Sequence, residues 1–200
     1  MFSPHRCGVF AGHSICIGEE ILDYLGVIDM RTDLQTVILI AACLGSVLYI
    51  AEAQDKISSK DRAFLTKAAQ ANMAEVQTGK LAQEKSMNEE IKQFGQKMVE
   101  EHGKTLKELQ ALAKKKGETL PASIDEPHQA QATALSRASG KEFDLMYVKD
   151  AGVADHKAAQ QLFEDGTKSK DADIKAFAKK VLPDIQHHLQ MAESMSKKMD

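Results

Sequence analysis

From Ser59 to the end of the chain, apolar residues recur every three or four positions, the spacing of one buried stripe on an α-helix. Four such stripes follow one another, and none shows the two-residue alternation of a strand. The first helix is predicted from Lys60 to Lys85, after the start signal "SSKD", with Leu65, Ala68, Asn72, Glu75, Gly79 and Ala82 on its stripe. The second is predicted from Asn88 to Lys116, carrying Ile91, Gly95, Met98, His102, Leu106, Leu109 and Ala113, and stopping at Gly117. After the proline-bearing loop "GETLPASIDEP", a third begins near His128, breaks at "SGKE" around Gly140 and continues to Gly166. The fourth opens at "SKDAD" and carries Ile174, Phe177, Val181, Ile185, His188, Ala192 and Met195, with Pro183 expected to bend it. Tight links join the first helix to the second and the third to the fourth. Two antiparallel hairpins packed as an all-α four-helix bundle are therefore the expected fold.

The stripes carry a second signal. Each has one ionisable residue where its neighbours are apolar: Glu75, His102, His156 and His188. Counted from the two short turns, these lie about 11, 15, 13 and 18 residues down, a spread of roughly 10 Å at 1.5 Å per residue. Asp184 lies nearer the common depth, at the fringe of the fourth stripe. A buried carboxylate or imidazolium without a partner costs several kcal/mol, so such groups pair, bind metal or become neutral. Three imidazoles and one carboxylate would suit zinc, iron or manganese as a divalent ion with one position open. The same residues could instead form a hydrogen-bonded polar layer, or some could sit at the rim in water. His187 is expected to be a solvated neighbour, and His128 sits by the loop with no partner in view. The methionines are expected to be core filler.

The hairpins also echo each other: "IKQF" at Ile91–Phe94 matches "IKAF" at Ile174–Phe177, and "EVQTGKL" from Glu75 aligns with "HKAAQQL" from His156. An internal duplication would place Glu75 and His156 at equivalent positions.

The first quarter of the chain is different. "VILIAACLGSVLYI", Val37 to Ile50, is fourteen residues without a charge and is followed by "AEA" at Ala51–Ala53. That is the pattern of a secretory signal peptide, and it is short for a membrane span. The expected organisation is an upstream extension over 1–29, a signal peptide over 30–53 and the helical domain over 54–200. Two alternatives stay open: retention of the segment as a membrane anchor, or a lipid on Cys43 in "IAAC". The three cysteines (Cys7, Cys16, Cys43) all precede residue 54, so the domain has no disulfide and no thiolate chemistry. Of 26 basic and 29 acidic residues, 2 and 6 lie before residue 54, leaving 24 and 23, a net charge of +1. Such a near-neutral, interspersed surface argues against nucleic acid as a partner. A homo-oligomer is compatible with it. No nucleophile motif, phosphate loop or cofactor fingerprint appears.

"AEVQTGKLA", "FGQKMVEEH", "FDLMYV", Asp155–His156 and "LPDIQHHL", in this order, resemble an exported bacterial domain-of-unknown-function family often labelled "predicted outer membrane protein". The resemblance covers about Asp61 to Met195. It implies a ferritin-like bundle in the periplasm or cell envelope and no particular reaction. The family's recurring polar positions fall here on Glu75, His102, Asp144, His156 and His188, which adds Asp144 to the candidate ligands. Di-iron ferritin-like centres use Glu-x-x-His pairs. Here Val99, Val153 and Ile185 stand three residues before His102, His156 and His188, and on the fourth helix only His187 has an acid there, Asp184. The expected function is therefore metal handling or envelope stress through a Glu/His cluster. The alternative is a non-enzymatic envelope or interaction module with a buried polar layer.

Overall fold

A computed structural model of the protein describes residues 57–199. The expected upstream extension and signal peptide, over 1–53, lie outside the described residues. The helices are α1 (Ser59–Lys85), α2 (Glu89–Lys115), α3 (Glu126–Arg137), α4 (Gly140–Met146), α5 (His156–Gly166) and α6 (Ala172–Met199). A π-helical segment, Tyr147–Asp155, joins α4 to α5 without interruption. Among the described residues there is no strand, and no helix is long and apolar enough to cross a membrane.

Local chemistry sets the boundaries. Ser58 Oγ accepts from the Asp61 amide at 3.1 Å at the start of α1, and Asn88 Oδ1 accepts from the Glu90 amide at 2.9 Å at the start of α2. Asp125 caps α3 and Pro127 occupies its first turn. Asp171 Oδ1 accepts from the amides of Asp173 and Ile174, both at 3.0 Å, where α6 begins. Gly117 ends α2 with φ of 70°, a left-handed conformation that a side chain would strain. Helix α6 runs on through Pro183.

Four rods result: α1, α2, the continuous α4–π–α5 rod, and α6. The chain pairs α1 with α2 and the third rod with α6. The square is closed where α1 meets α5 and the π segment, and where α2 meets α6. This is the expected all-α bundle of two hairpins. It differs from expectation in the third helix: Glu126–Arg137 is a helix of its own, packed on α1, and the rod proper starts only at Gly140. On the α1–α2 face the backbones nearly touch. A Cβ on Gly79 would lie 2.7 Å from the Gly95 carbonyl oxygen, so that position admits only glycine without a shift.

The core has two apolar clusters. One holds Phe64, Leu65, Leu109, Phe163, Ile174 and Phe177; the other holds Phe94, Met98, Phe143, Tyr147, Val148 and Met195. On every rod the stripe ionisable residue falls between the stretches that feed the two clusters. The bundle therefore has a polar layer sandwiched between two greasy ends.

Candidate metal centre

The polar layer draws one imidazole from each of three rods: His102 from α2, His156 from the third rod and His188 from α6. Their relative exposures are 7%, 0% and 2%, so none is wetted. Ring centroids lie 5.4 Å (His102–His156), 5.3 Å (His102–His188) and 5.5 Å (His156–His188) apart. One ring nitrogen from each lies within 4.8 Å of the other two. In a tetrahedral zinc shell, ligand nitrogens stand about 3.3 Å apart, so movements of under about 1 Å would gather these three around one ion.

The tautomers are fixed by what lies behind each ring. Asn72 Nδ2 donates to the Ala68 carbonyl at 2.7 Å, which orients the amide and aims Oδ1 at His102 Nδ1, 3.0 Å away. An amide oxygen can only accept, so Nδ1 carries the proton. His156 Nδ1 donates to the Ala151 carbonyl at 3.0 Å, within the π segment. His188 Nε2 donates to Glu101 Oε2 at 2.5 Å. Each ring thus has one nitrogen engaged as a donor. The other nitrogen of each, His102 Nε2, His156 Nε2 and His188 Nδ1, is buried with no partner. Donation from one ring nitrogen to an amide, carbonyl or carboxylate is how proteins orient metal-binding histidines and raise their basicity.

The rings are also in the charge state a metal needs. Burial, reinforced by the other two imidazoles, holds His102 well below the usual histidine range. Burial brings His156 down to about 4 against the opposing pull of its carbonyl partner. Burial likewise lowers His188, outweighing the Glu101 carboxylate. Burial alone would raise Glu101, but Lys97 and His188 together hold it below its ordinary value. Three neutral imidazoles with free lone pairs face one another, and no donor meets them.

Glu75 is placed differently from expectation. It is buried at 5% exposure, with Oε1 3.5 Å from His156 Nδ1 and Oε2 unpartnered, but it is not among the three groups within mutual ligand reach. Both shifts oppose an ion pair at this contact: burial, with Asp155 nearby, pushes the Glu75 carboxyl well up, while burial pushes His156 down. Glu75 stands behind His156, on the side of its engaged nitrogen. Asp184 is exposed, because position 184 faces outward one turn before His188. Asp144 accepts from Ser86 Oγ at 2.6 Å, tying the third rod to the α1–α2 turn. Neither belongs to the triad. His187 is exposed and lies outside the triad, so the Asp184-x-x-His187 spacing builds no centre. His128 does have a partner, Asp125, at the start of α3.

The supporting residues were only partly legible in the sequence. Asn72 stands on the first stripe, where a polar residue is already a flag. Glu101 sits beside His102 but off the stripe, and Ala151 contributes backbone alone.

No curated protein matches the chain in sequence. Among solved structures, a DUF305 fragment from Deinococcus radiodurans superposes with a TM-score of 0.64 at 10% identity, covering 71% of this chain and 98% of that one. CopM in its Cu(II)-bound form superposes with a TM-score of 0.60 at 14% identity, covering 70% and 97%. At these identities the likeness is one of fold. Residues 50–195 match the family described as a domain of unknown function, DUF4142, and the chain belongs to that family.

Proposed function

We propose that the protein binds one divalent ion of the late first-row metals, Cu²⁺ or Zn²⁺, through His102, His156 and His188, and serves in metal handling. One observation carries this reading: three buried ring nitrogens, each left with an unused lone pair by a hydrogen bond on the opposite nitrogen, converge where no donor is present. An unmatched buried acceptor costs about 1–3 kcal/mol, and three together also repel. A cation removes all three penalties at once. A purely hydrogen-bonded layer leaves them in place, which is why the structural alternative is the weaker one.

The donor set narrows the choice of metal. Of the expected zinc, iron and manganese, the last two lose their main attraction once Glu75 is behind a ligand and not beside the ion, since they favour carboxylate oxygen. Imidazole nitrogen alone suits zinc and Cu²⁺, and affinity at such a site rises towards copper. The shared fold with CopM, which was solved with Cu(II), is consistent with this choice. With three protein ligands the ion would keep one position for water or a small ligand.

The test is metal content and affinity of untagged protein. We expect about one ion per chain after exposure to Cu²⁺ or Zn²⁺, with binding lost in His102→Ala and His156→Ala. Thermal stability indifferent to both ions would refute the proposal. We place the protein outside the cytoplasm on the charge-free run Val37–Ile50 and the following "AEA". N-terminal sequencing of the mature protein should then read from near Gln54, and an intact residue 30–53 segment in a soluble fraction would contradict export by cleavage.

A further inference from the structure

Two adjoining cavities lie beside the polar layer, and the smaller is lined by two of the three imidazoles, His102 and His156. The outer one is a surface recess of about 390 Å³ where Asp125, His128 and Asp155 meet Ala159 and Lys67. The inner one is a chamber of about 20 Å³ against Asn72, Glu75, His102 and His156. Ala71, His128, Asp155 and Ala159 line both, so the two share a wall. A water needs roughly 10–15 Å³ of such space. The chamber therefore fits a single water or a bare ion and nothing larger.

The chemistry along this line is graded. Asp125, which is paired with His128, lines the recess with Asp155, Asp165 and Lys67, so the mouth offers carboxylate oxygens. Asp155, partly desolvated, is held by Gln131 Nε2 at 2.8 Å and faces both cavities. Further in, Glu75 Oε2 is a buried oxygen with no partner on the wall of the chamber. His156 and His102 line the same chamber. Hard oxygen groups at the mouth can replace the water shell of a cation stepwise, and the nitrogens then complete it. Ala71 and Ala159 are the small residues that keep the shared wall open. None of these groups is needed to orient the triad, which has its own partners in Asn72, Ala151 and Glu101.

We propose that this line is the access path of the metal: a divalent cation is captured between Asp125 and Asp155, sheds water into the chamber beside Glu75, and passes between the His102 and His156 rings to the free nitrogens, leaving by the same route. The path rests on the triad being the metal site. A group that lines a route but is not a ligand alters loading and release by the same factor, because both cross the same barrier. Affinity then stays fixed.

The test uses the untagged full chain with Zn²⁺ delivered from, and withdrawn by, a chromophoric chelator in rapid mixing. In Ala159→Leu, which fills the shared wall, loading and release should both slow about tenfold or more while Kd stays within about threefold. Ala71→Leu plugs the same wall from α1 and should behave alike, which covers the case of one variant failing to fold. Loading at the unaltered rate in a folded plug variant would overturn the path, as would a change confined to release. His102→Ala separates the two ideas: loss of Zn²⁺ binding there with unaltered plug kinetics refutes the path alone. Zn²⁺ binding that survives His102→Ala refutes the triad.

Discussion

Acid should unfold this protein earlier than a bundle of its size, and the opposing behaviour of Glu75 makes the effect diagnostic. Consider metal-stripped protein. In the unfolded chain each histidine takes a proton below about pH 6.5. Folded His156 does not do so until about 4, and His102 is held lower than usual in the same sense. Between those values the unfolded state binds more protons, so stability falls as pH falls. For His156 alone the whole window is worth about 3 kcal/mol, since each tenfold change in proton affinity is about 1.4 kcal/mol. Glu75 acts the other way. Its folded carboxyl is pushed well up by burial, so its contribution is full below the unfolded value of about 4.5 and is lost as pH rises. On acidification Glu75 therefore gives back part of what His102 and His156 take. Stability should still fall from pH 6 to pH 5, because two lowered imidazoles oppose one raised carboxyl and His188 is lowered in the same sense. Urea denaturation with chelator present, followed by circular dichroism at about pH 7, 6 and 5, measures this directly. Glu75→Gln keeps the shape of the protonated acid and removes the compensation, so the fall of stability with pH should steepen. A Glu75→Gln protein whose stability is flat between pH 6 and 5 would mean that the imidazoles are not neutral in the folded state.

Two further outcomes follow from the packing and the support of the rings. Gly95→Ala would put a Cβ 2.7 Å from Ala82 Cβ and 2.8 Å from the Gly79 carbonyl oxygen. Overpacking of about 1–3 kcal/mol should exceed the roughly 1 kcal/mol gained in helix propensity, lowering Tm by a few degrees; a raised Tm would show that α1 and α2 can part freely. Asn72→Ala removes the acceptor behind His102 and should weaken Cu²⁺ or Zn²⁺ binding about 10–100-fold in a competition titration, and unchanged affinity would mean that the amide does not orient the ring.

The rods and their pairing were readable because the stripes are regular and the stop at Gly117 is sharp. The triad was readable in kind: an imidazole among methyl groups on three stripes is conspicuous. Its depth was not. Counting at 1.5 Å per residue spread the groups over roughly 10 Å, whereas the rings sit within 5.5 Å centre to centre. Part of the reason is that helical side chains lean towards their own N-terminus, so in antiparallel rods the shallower His156 reaches deeper and the deeper His188 reaches back towards the turn. Glu75 shares its stripe position with the three imidazoles and so was counted with them, whereas the three rings alone lie within mutual reach. Periodicity reports which face a residue takes, and it could not show that the Glu75 oxygens stop on the far side of His156. Glu101 escaped notice for the opposite reason, reaching a buried ring from a half-exposed position that no stripe marks.

X-ray absorption at the metal edge of Cu²⁺- or Zn²⁺-loaded protein tests the central claim most directly. Three imidazole nitrogens at about 2.0–2.1 Å, falling to two in His188→Ala, is the predicted result. A shell made of oxygen, or one unaltered by removing any of the three rings, would contradict it.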